Sequence, residues 1–399
     1  MPSSGVVVVG AGIAAVSVAR RLRALGYGGD LAMVTDDSAP PYDRPPLSKQ
    51  FLAGTLGRDQ VGLLQSGEPE TLAVRTIAGT ATTLDRGARQ VVLDDGTRVP
   101  YRLLVVATGA RARRLPYPDL DGVHHLRTLD DAERLAADLR PGSQLVVIGG
   151  GFIGLEVAAT AYALGAHVTV LETATQPLTR VLGPVAGGMV AALHEDRARL
   201  RFGVTVSGLV GDVRVRGVVV DGDEIPADAV VVGVGAVPNT EWLADSGLDV
   251  TNGVLCDDSG RTDDPAVYAV GDVSRWVHGV SGRADRVEQW QTAVEQAAVV
   301  AANVAVDLAV DGAGAERWCS VPYFWSDQYE HKVQFCGSAG PVIRDRDVRR
   351  GRVACFADAE DDVLTGVLAV DNPAALARGR RLVAAGTSWS DAVTWLDTL

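Results

Sequence analysis

The chain has 399 residues, 47% of them hydrophobic, and a formal net charge of −13. That length and apolar content suit two or three domains of ~100–200 residues each, while the acidic balance disfavours a nucleic-acid partner. No run of ~18 or more apolar residues is free of charge, so no transmembrane helix is expected, and Met1-Pro2-Ser3-Ser4-Gly5 lacks the basic start of a secretory leader.

In chain order, the apolar run Val6 to Val9 reads as a strand entering Gly10-Ala11-Gly12-Ile13-Ala14-Ala15. A helix follows from Ile13 to about Leu25 and stops near Gly26-Tyr27-Gly28-Gly29, where glycine suits a left-handed C-cap. Asp30 to Thr35 is the returning strand. Gln90 to Val99 is a hairpin with an Asp95-Gly96 turn. Leu103 to Ala107 is a buried strand ending in Thr108-Gly109-Ala110. The opening pattern then returns. Leu145 to Ile148 runs into Gly149-Gly150-Gly151-Phe152-Ile153-Gly154, a helix extends from about Ile153 to Leu164, Gly165 stops it, and His167 to Glu172 is a strand. Such strand–helix–strand units with right-handed crossovers build parallel sheets. Ala229 to Val234, before Gly235, and Tyr268 to Asp272 are further strands, and the helix from Trp290 to about Leu308 is apolar on most faces, as a buried helix is. After Trp318 an aromatic stretch, Pro322 to Tyr329, leads into alternating strands, with a hairpin turn at Glu360-Asp361-Asp362 and a closing helix.

A strand that runs into a glycine turn aims backbone N–H groups and a helix N-terminus at one point, which attracts a pyrophosphate. A turn that merely packs strand on helix is the competing reading of either motif alone; two in the right context favour two dinucleotides. Ala15 replaces the last glycine of the first motif, which the fingerprint tolerates. The end of the second strand selects the nucleotide. Glu172 there accepts from both hydroxyls of an adenosine ribose and repels the extra phosphate of NADPH, so NADH is expected, although Arg180 lies near in sequence. In the first unit Asp36 is the candidate for the ribose, with a solvated turn carboxylate as the rival reading.

The four cysteines, Cys256, Cys319, Cys336 and Cys355, have neither CxxC nor zinc spacing, so reduced thiols, a cytoplasmic setting and no metal are expected. Only two basic residues are lysines, Lys49 and Lys332. Lysine is a compact point charge that arginine does not replace. Glu156 lies two residues after Gly154, read here as the first helical turn, where the helix dipole favours a carboxylate.

Several segments together carry a family likeness: Gly10-Ala11-Gly12, Pro41-Tyr42-Asp43-Arg44-Pro45-Pro46-Leu47-Ser48-Lys49, Ala107-Thr108-Gly109, Gly149 to Glu156, Tyr268 to Asp272, and Pro322 to Gln328. On these residues the chain resembles, over nearly its whole length, the flavoprotein ferredoxin reductases that serve bacterial oxygenases, within the glutathione-reductase-like superfamily. The resemblance implies that the first fingerprint, with Gly10, Gly12, Ile13 and Ala14, holds FAD, and that Gly149, Gly151, Phe152, Ile153 and Gly154 hold NADH. It places Arg44 near the FAD phosphates, where an ordinary loop ion pair is the rival reading. It places Asp272 on the ribityl chain, a position that also suits a helix N-cap. Arg127 matches an arginine that contacts the flavin, and Trp290 the residue that flanks the ring, where plain core packing competes. Ala78, Thr108 and Gly109 complete the FAD set; Arg180 and Gly235 complete the NADH set.

By the same resemblance Lys49 and Glu156 pair beside the flavin N5, where a cation stabilises the electron density of the reduced ring. Disulfide reductases of the superfamily carry cysteines near the flavin, but Pro45 to Phe51 contains none, so electrons must leave directly for an outside acceptor. Departures from the family pattern are Tyr323, where tryptophan is common, and Gln291-Thr292; Thr292 is the one that bears on flavin contacts or the docking surface.

The expected fold is α/β: two Rossmann-like dinucleotide-binding domains, for FAD and NAD, plus a C-terminal α/β domain. The FAD domain covers 1–112 and 242–317, the NADH domain 113–241, and the C-terminal domain 318–399. The expected activity is transfer of electrons from NADH through FAD to a [2Fe-2S] ferredoxin serving a cytochrome P450 or Rieske oxygenase, by a monomer or weak homodimer. Rubredoxin reductase, NADH oxidase and a redox-sensing interaction protein like apoptosis-inducing factor are the alternatives. An acidic ferredoxin needs a basic docking face, and Arg111, Arg113 and Arg114 or the Arg344 to Arg352 cluster are candidates, each also readable as a solvated surface.

Overall fold

The computed structural model describes residues 5–279, 282–358, 360 and 362–399; Met1 to Ser4 and Asp361 of the expected hairpin turn lie outside them. The chain divides into two compact units.

The first unit is made of Met1–Asp43, Val61–Arg111 and Val237–Ser320. Its five-stranded sheet has the order Val267–Ala269, Leu103–Val106, Val6–Val9, Leu31–Thr35, Arg75–Ala78, and every pairing is parallel. The runs of Val and Leu explain this. β-branched residues fit the pleated surface, and a strand covered on both faces has no polar side to show; all four residues of Val6–Val9 are buried. Val6 pairs with Leu31 on one side and Leu103 on the other. The chain therefore leaves the central strand in both directions, which opens a crevice at its carboxyl end. Helix Ile13–Ala24 packs on the 18-residue helix Trp290–Asp307, whose Ala and Val side chains are largely buried, as expected. The hairpin around Gly96 forms as Gln90–Leu93 and Arg98–Pro100. Two expected strands stop early: Ala229–Val232, of the second unit, falls short of Val234, and Val267–Ala269 ends before Gly271–Val273, a 3₁₀ turn, because Gly271 takes φ +75° and breaks the extended run.

The second unit is made of Arg44–Gln60, Ala112–Ala236 and Val321–Leu399. It repeats the arrangement with Arg199–Phe202, His167–Glu172, Gln144–Ile148, Ala229–Val232 and Val123–His124, again all parallel. Its central strand Gln144–Ile148 runs into helix Phe152–Ala163. The unit also holds an antiparallel sheet in the order Tyr323–Gln328, His331–Gly337, Leu364–Val370, Arg352–Ala357, Val342–Asp347, with helices Pro373–Ala384 and Trp389–Asp397. Strand Tyr323–Gln328 alternates strictly, with Phe324, Ser326 and Gln328 buried. Two polar side chains on an inward face need partners, because an unpaired buried polar group costs ~1–3 kcal/mol.

Candidate active site

In the first unit, Gly10 has φ +117°, and a Cβ there would lie 2.2 Å from the carbonyl oxygen of Ala107. Only glycine lets the two backbones approach so closely. Gly12 caps helix Ile13–Ala24 with no side-chain hydrogen bond, so the N–H groups of the first turn point outward uncapped. A Cβ on Gly271 would sit 3.1 Å from that of Ala14, and the Gly271 N–H donates to Gln296 Oε1 at 3.1 Å. The fold thus brings Asp272 to the same helix start as Gly10, Gly12, Ile13 and Ala14. Thr108 Oγ1 donates to the Asn239 carbonyl at 2.8 Å and Asn239 Nδ2 returns a bond to the Thr108 carbonyl at 2.9 Å, fixing the turn at Gly109. Asp36 is exposed just beyond strand Leu31–Thr35, and Ala78 ends the neighbouring strand opposite Thr35. Trp290 opens its helix and donates its indole N–H to Asp43 Oδ1 at 2.7 Å, so it is held by a specific bond as well as by packing.

In the second unit, a Cβ on Gly149 (φ +107°) would lie 2.4 Å from the Gly233 oxygen, and one on Gly154 would lie 2.3 Å from the Gly149 oxygen. Gly151 caps helix Phe152–Ala163, again without a side-chain bond. Glu172 reaches back to this turn: its Oε2 accepts from the Gly150 N–H at 2.7 Å and its Oε1 from the Ala174 N–H at 2.9 Å. Phe152 packs on Phe324 with ring centroids 4.4 Å apart, and Ile153 is 40% exposed. The Arg180 guanidinium lies 3.6 Å from where a Cβ on Gly235 would be, so these two are also neighbours. Both glycine turns therefore fit a nucleotide: each is a cradle that side chains would fill, at the start of an uncapped helix.

Lys49 Nζ and Glu156 Oε2 are 2.8 Å apart, 11% and 7% exposed. The Pro45–Ser48 turn, preceded by Arg44, aims Lys49 at the helix, and Thr160 Oγ1 holds that turn through the Ser48 carbonyl at 2.8 Å. Glu156 is the fifth residue of helix Phe152–Ala163, which has no acidic residue in its first turn. The reading of Glu156 as a first-turn carboxylate is therefore corrected: side chains hold it, namely Lys49, Ser48 Oγ and Ser326 Oγ, the last at 2.7 Å. Arg127 is half-buried, and its N–H donates to Asp131 at 3.1 Å beside the Thr128 capping box.

Thr292 is fully buried and bonds Gln289, so it lies on no docking surface. The candidate basic faces are largely self-neutralised: Arg111 pairs with Glu241, Arg114 with Asp119, Arg344 and Arg346 with Asp397, and Arg352 with Asp345. All four cysteines are free. Burial pushes the Cys256 thiol far up, Cys336 up to about 11 and Cys355 up to about 12, which keeps them protonated and inert. Sequence reasoning missed Asp43, Ser48, His194, Asn239, Ser326 and Gln328. Period-2 alternation in Tyr323–Gln328 was the available signal for Ser326 and Gln328.

Residues 4–297 match the model of the pyridine nucleotide-disulphide oxidoreductase family. The chain belongs to the pyridine nucleotide-disulphide oxidoreductases. Membership of this family agrees with the expected oxidoreductase fold and with its FAD and NADH cofactors. Residues 323–396 match the reductase C-terminal family, so the expected C-terminal domain is present. The ferredoxin–NAD(+) reductase component of the anthranilate 1,2-dioxygenase system of Burkholderia cepacia is 38% identical over 97% of this chain and 95% of its own. Putidaredoxin reductase of Pseudomonas putida is 38% identical over 88% of this chain and 84% of its own. The covalent complex of putidaredoxin reductase with putidaredoxin superposes on this family member with a TM-score of 0.91 at 33% identity, covering 97% of this chain and 94% of that one. Among the described residues no helix is long and apolar enough to cross a membrane.

Proposed function

We propose that this chain is an NADH-dependent flavoprotein reductase of the cytoplasm that passes electrons through FAD to a [2Fe-2S] ferredoxin serving a cytochrome P450 or Rieske oxygenase. The observation that carries the reading is the largely buried Lys49–Glu156 ion pair in a chain with two glycine cradles and no cysteine in Pro45 to Phe51. Four free thiols suit a reducing compartment.

Gly10, Gly12, Ile13 and Ala14 would hold the FAD pyrophosphate, Asp36 its ribose, and Asp272 its ribityl chain. Ala78, Thr108 and Gly109 would line the same site, and by the family resemblance Arg44 would balance phosphate charge while Arg127 and Trp290 would contact the ring. Gly149, Gly151, Phe152, Ile153 and Gly154 would hold the NADH pyrophosphate, with Glu172 on the ribose hydroxyls and Arg180 and Gly235 beside them. Bound FAD supplies the exchange between a two-electron hydride donor and a one-electron acceptor. Lys49 would place a positive charge where negative charge grows on the reduced ring, and Glu156, paired with it at 2.8 Å, would fix its position. The division into an FAD domain over 1–112 and 242–317, an NADH domain over 113–241 and a C-terminal domain over 318–399 is part of the same proposal.

The test follows NADH oxidation by the FAD-loaded protein with cytochrome c alone, with cytochrome c plus a [2Fe-2S] ferredoxin, with cytochrome c plus a rubredoxin, and with oxygen as sole acceptor. The expected result is a rate that depends on the [2Fe-2S] protein. A rate that is the same without it, or that only rubredoxin or oxygen raises, overturns the reading.

A further inference from the structure

Glu156 does more than meet Lys49. Its other carboxylate oxygen, Oε1, accepts from Ser326 Oγ at 2.7 Å. Ser326 Oγ receives Gln328 Nε2 at 3.0 Å, Gln328 Oε1 lies 2.8 Å from His194 Nε2, and His194 Nδ1 lies 2.9 Å from the Tyr329 hydroxyl. Ser326, Gln328 and His194 are each fully buried.

One end of this chain fixes the direction of all of it. An ionised carboxylate only accepts, so the Ser326 proton points at Glu156. Ser326 Oγ must then accept from Gln328, which turns the amide so that its NH₂ faces Ser326 and its carbonyl faces His194. His194 must therefore carry its proton on Nε2, leaving Nδ1 to accept from Tyr329. Burial and the nearby Arg197 favour this neutral ring over the imidazolium, although the bond to Gln328 opposes them. Burial also keeps the Tyr329 hydroxyl protonated. Every bond donates towards Glu156.

We propose that Ser326, Gln328 and His194 are positioning residues for the Lys49–Glu156 pair, a one-way hydrogen-bond chain that fixes the rotamer of the Glu156 carboxylate and, through it, the place of the Lys49 ammonium. The inference rests on the reading of Lys49 and Glu156 as the catalytic pair. A carboxylate held only by a lysine swings with that flexible stem; one that also accepts from Ser48 and Ser326 has both oxygens tied down. Preorganised charge of this kind is what a developing negative charge requires. The chain also accounts for two polar residues at inward positions of strand Tyr323–Gln328, where apolar side chains would pack without help.

The test compares K49M, S326A, S326T, Q328M and H194F as FAD-loaded proteins. Two quantities are read, the visible absorption bands of the bound flavin and the stopped-flow rate of its reduction by NADH, with melting temperature measured alongside. K49M is expected to shift the bands and slow reduction. S326A, Q328M and H194F are expected to shift the bands the same way and slow reduction by about tenfold or less, the scale of one ordinary hydrogen bond acting through the pair, and S326T is expected to restore both. If K49M shifts the bands and the rate while S326A, Q328M and H194F change only melting temperature, the positioning role is overturned and the catalytic pair stands. If K49M itself changes neither, the reading of the pair falls and the positioning role with it. Q328M and H194F carry the test if S326A does not fold.

Discussion

Glu172 Oε2 accepts the backbone N–H of Gly150 at 2.7 Å, tying the end of a strand to the turn that opens the second cradle. The carboxylate is thereby fixed at the place where an adenosine ribose would sit. Glu172→Ala is expected to weaken NADH use by about 10- to 100-fold, the scale of hydrogen bonds to a charged acceptor, and to narrow the preference over NADPH. The ratio of kcat/KM for the two nucleotides measures it. A wild-type protein that favours NADPH shows that this carboxylate does not select.

The two fingerprints differ at their last position, and the difference is testable. Ala15 is fully buried in the first helix, whereas a methyl on Gly154 would lie 2.3 Å from the Gly149 oxygen. Gly154→Ala is expected to cost about 1–3 kcal/mol as an overpacked contact and to impair nucleotide binding, while Ala15→Gly leaves FAD bound. Gly10→Ala combines a 2.2 Å approach to Ala107 with a left-handed φ, so it is expected to purify without its yellow colour. Flavin content and NADH titration report all three.

These glycines were legible in sequence because their reason is local. A left-handed φ or a backbone approach admits one residue type, and the strand–turn–helix frame is contiguous. Glu172 was legible for the same reason, as the last residue of strand His167–Glu172. Lys49 stood out as one of only two lysines. Glu156 was located but misplaced within its helix, because its position was counted from Gly154 and not from the cap, Gly151. His194 was not legible at all. It sits in a short turn, Ala192–His194, and its partners Gln328 and Tyr329 lie more than a hundred residues away in sequence. No periodicity encodes such a contact; only the buried polar pattern of Tyr323–Gln328 hinted that something must satisfy it.

The cysteines give a direct check on the electron route. Cys256, Cys336 and Cys355 are buried with their thiols pushed up, and Cys319 alone is exposed. A thiol reagent is expected to label one residue in the native protein and four after denaturation, with NADH oxidation unchanged by the native labelling. Loss of flavin reduction on labelling Cys319, reproduced in C319S, would show that sulfur takes part after all.

Acid should expose the buried histidines. Burial holds His194, His124 and His125 below their ordinary value, and Arg197 adds to the effect at His194. In the unfolded chain each titrates near about 6.5. Between that value and the lower folded one the unfolded state binds more protons, so stability rises with pH across the window. The contribution is complete above about pH 6.5 and is lost as acid carries the protein through the folded values, with a slope of at most about 1.4 kcal/mol per pH unit for each site. Asp138 bonds His124 at 2.8 Å and offsets part of its burial, which makes His194 the better probe. Melting temperature followed from pH 8 to pH 5.5 is expected to fall in the wild type and to fall less steeply in His194→Asn, which has no proton to gain there. Parallel curves for the two proteins would mean that His194 takes up its proton over the same pH range folded and unfolded, and that the one-way chain ending at Glu156 does not keep it neutral.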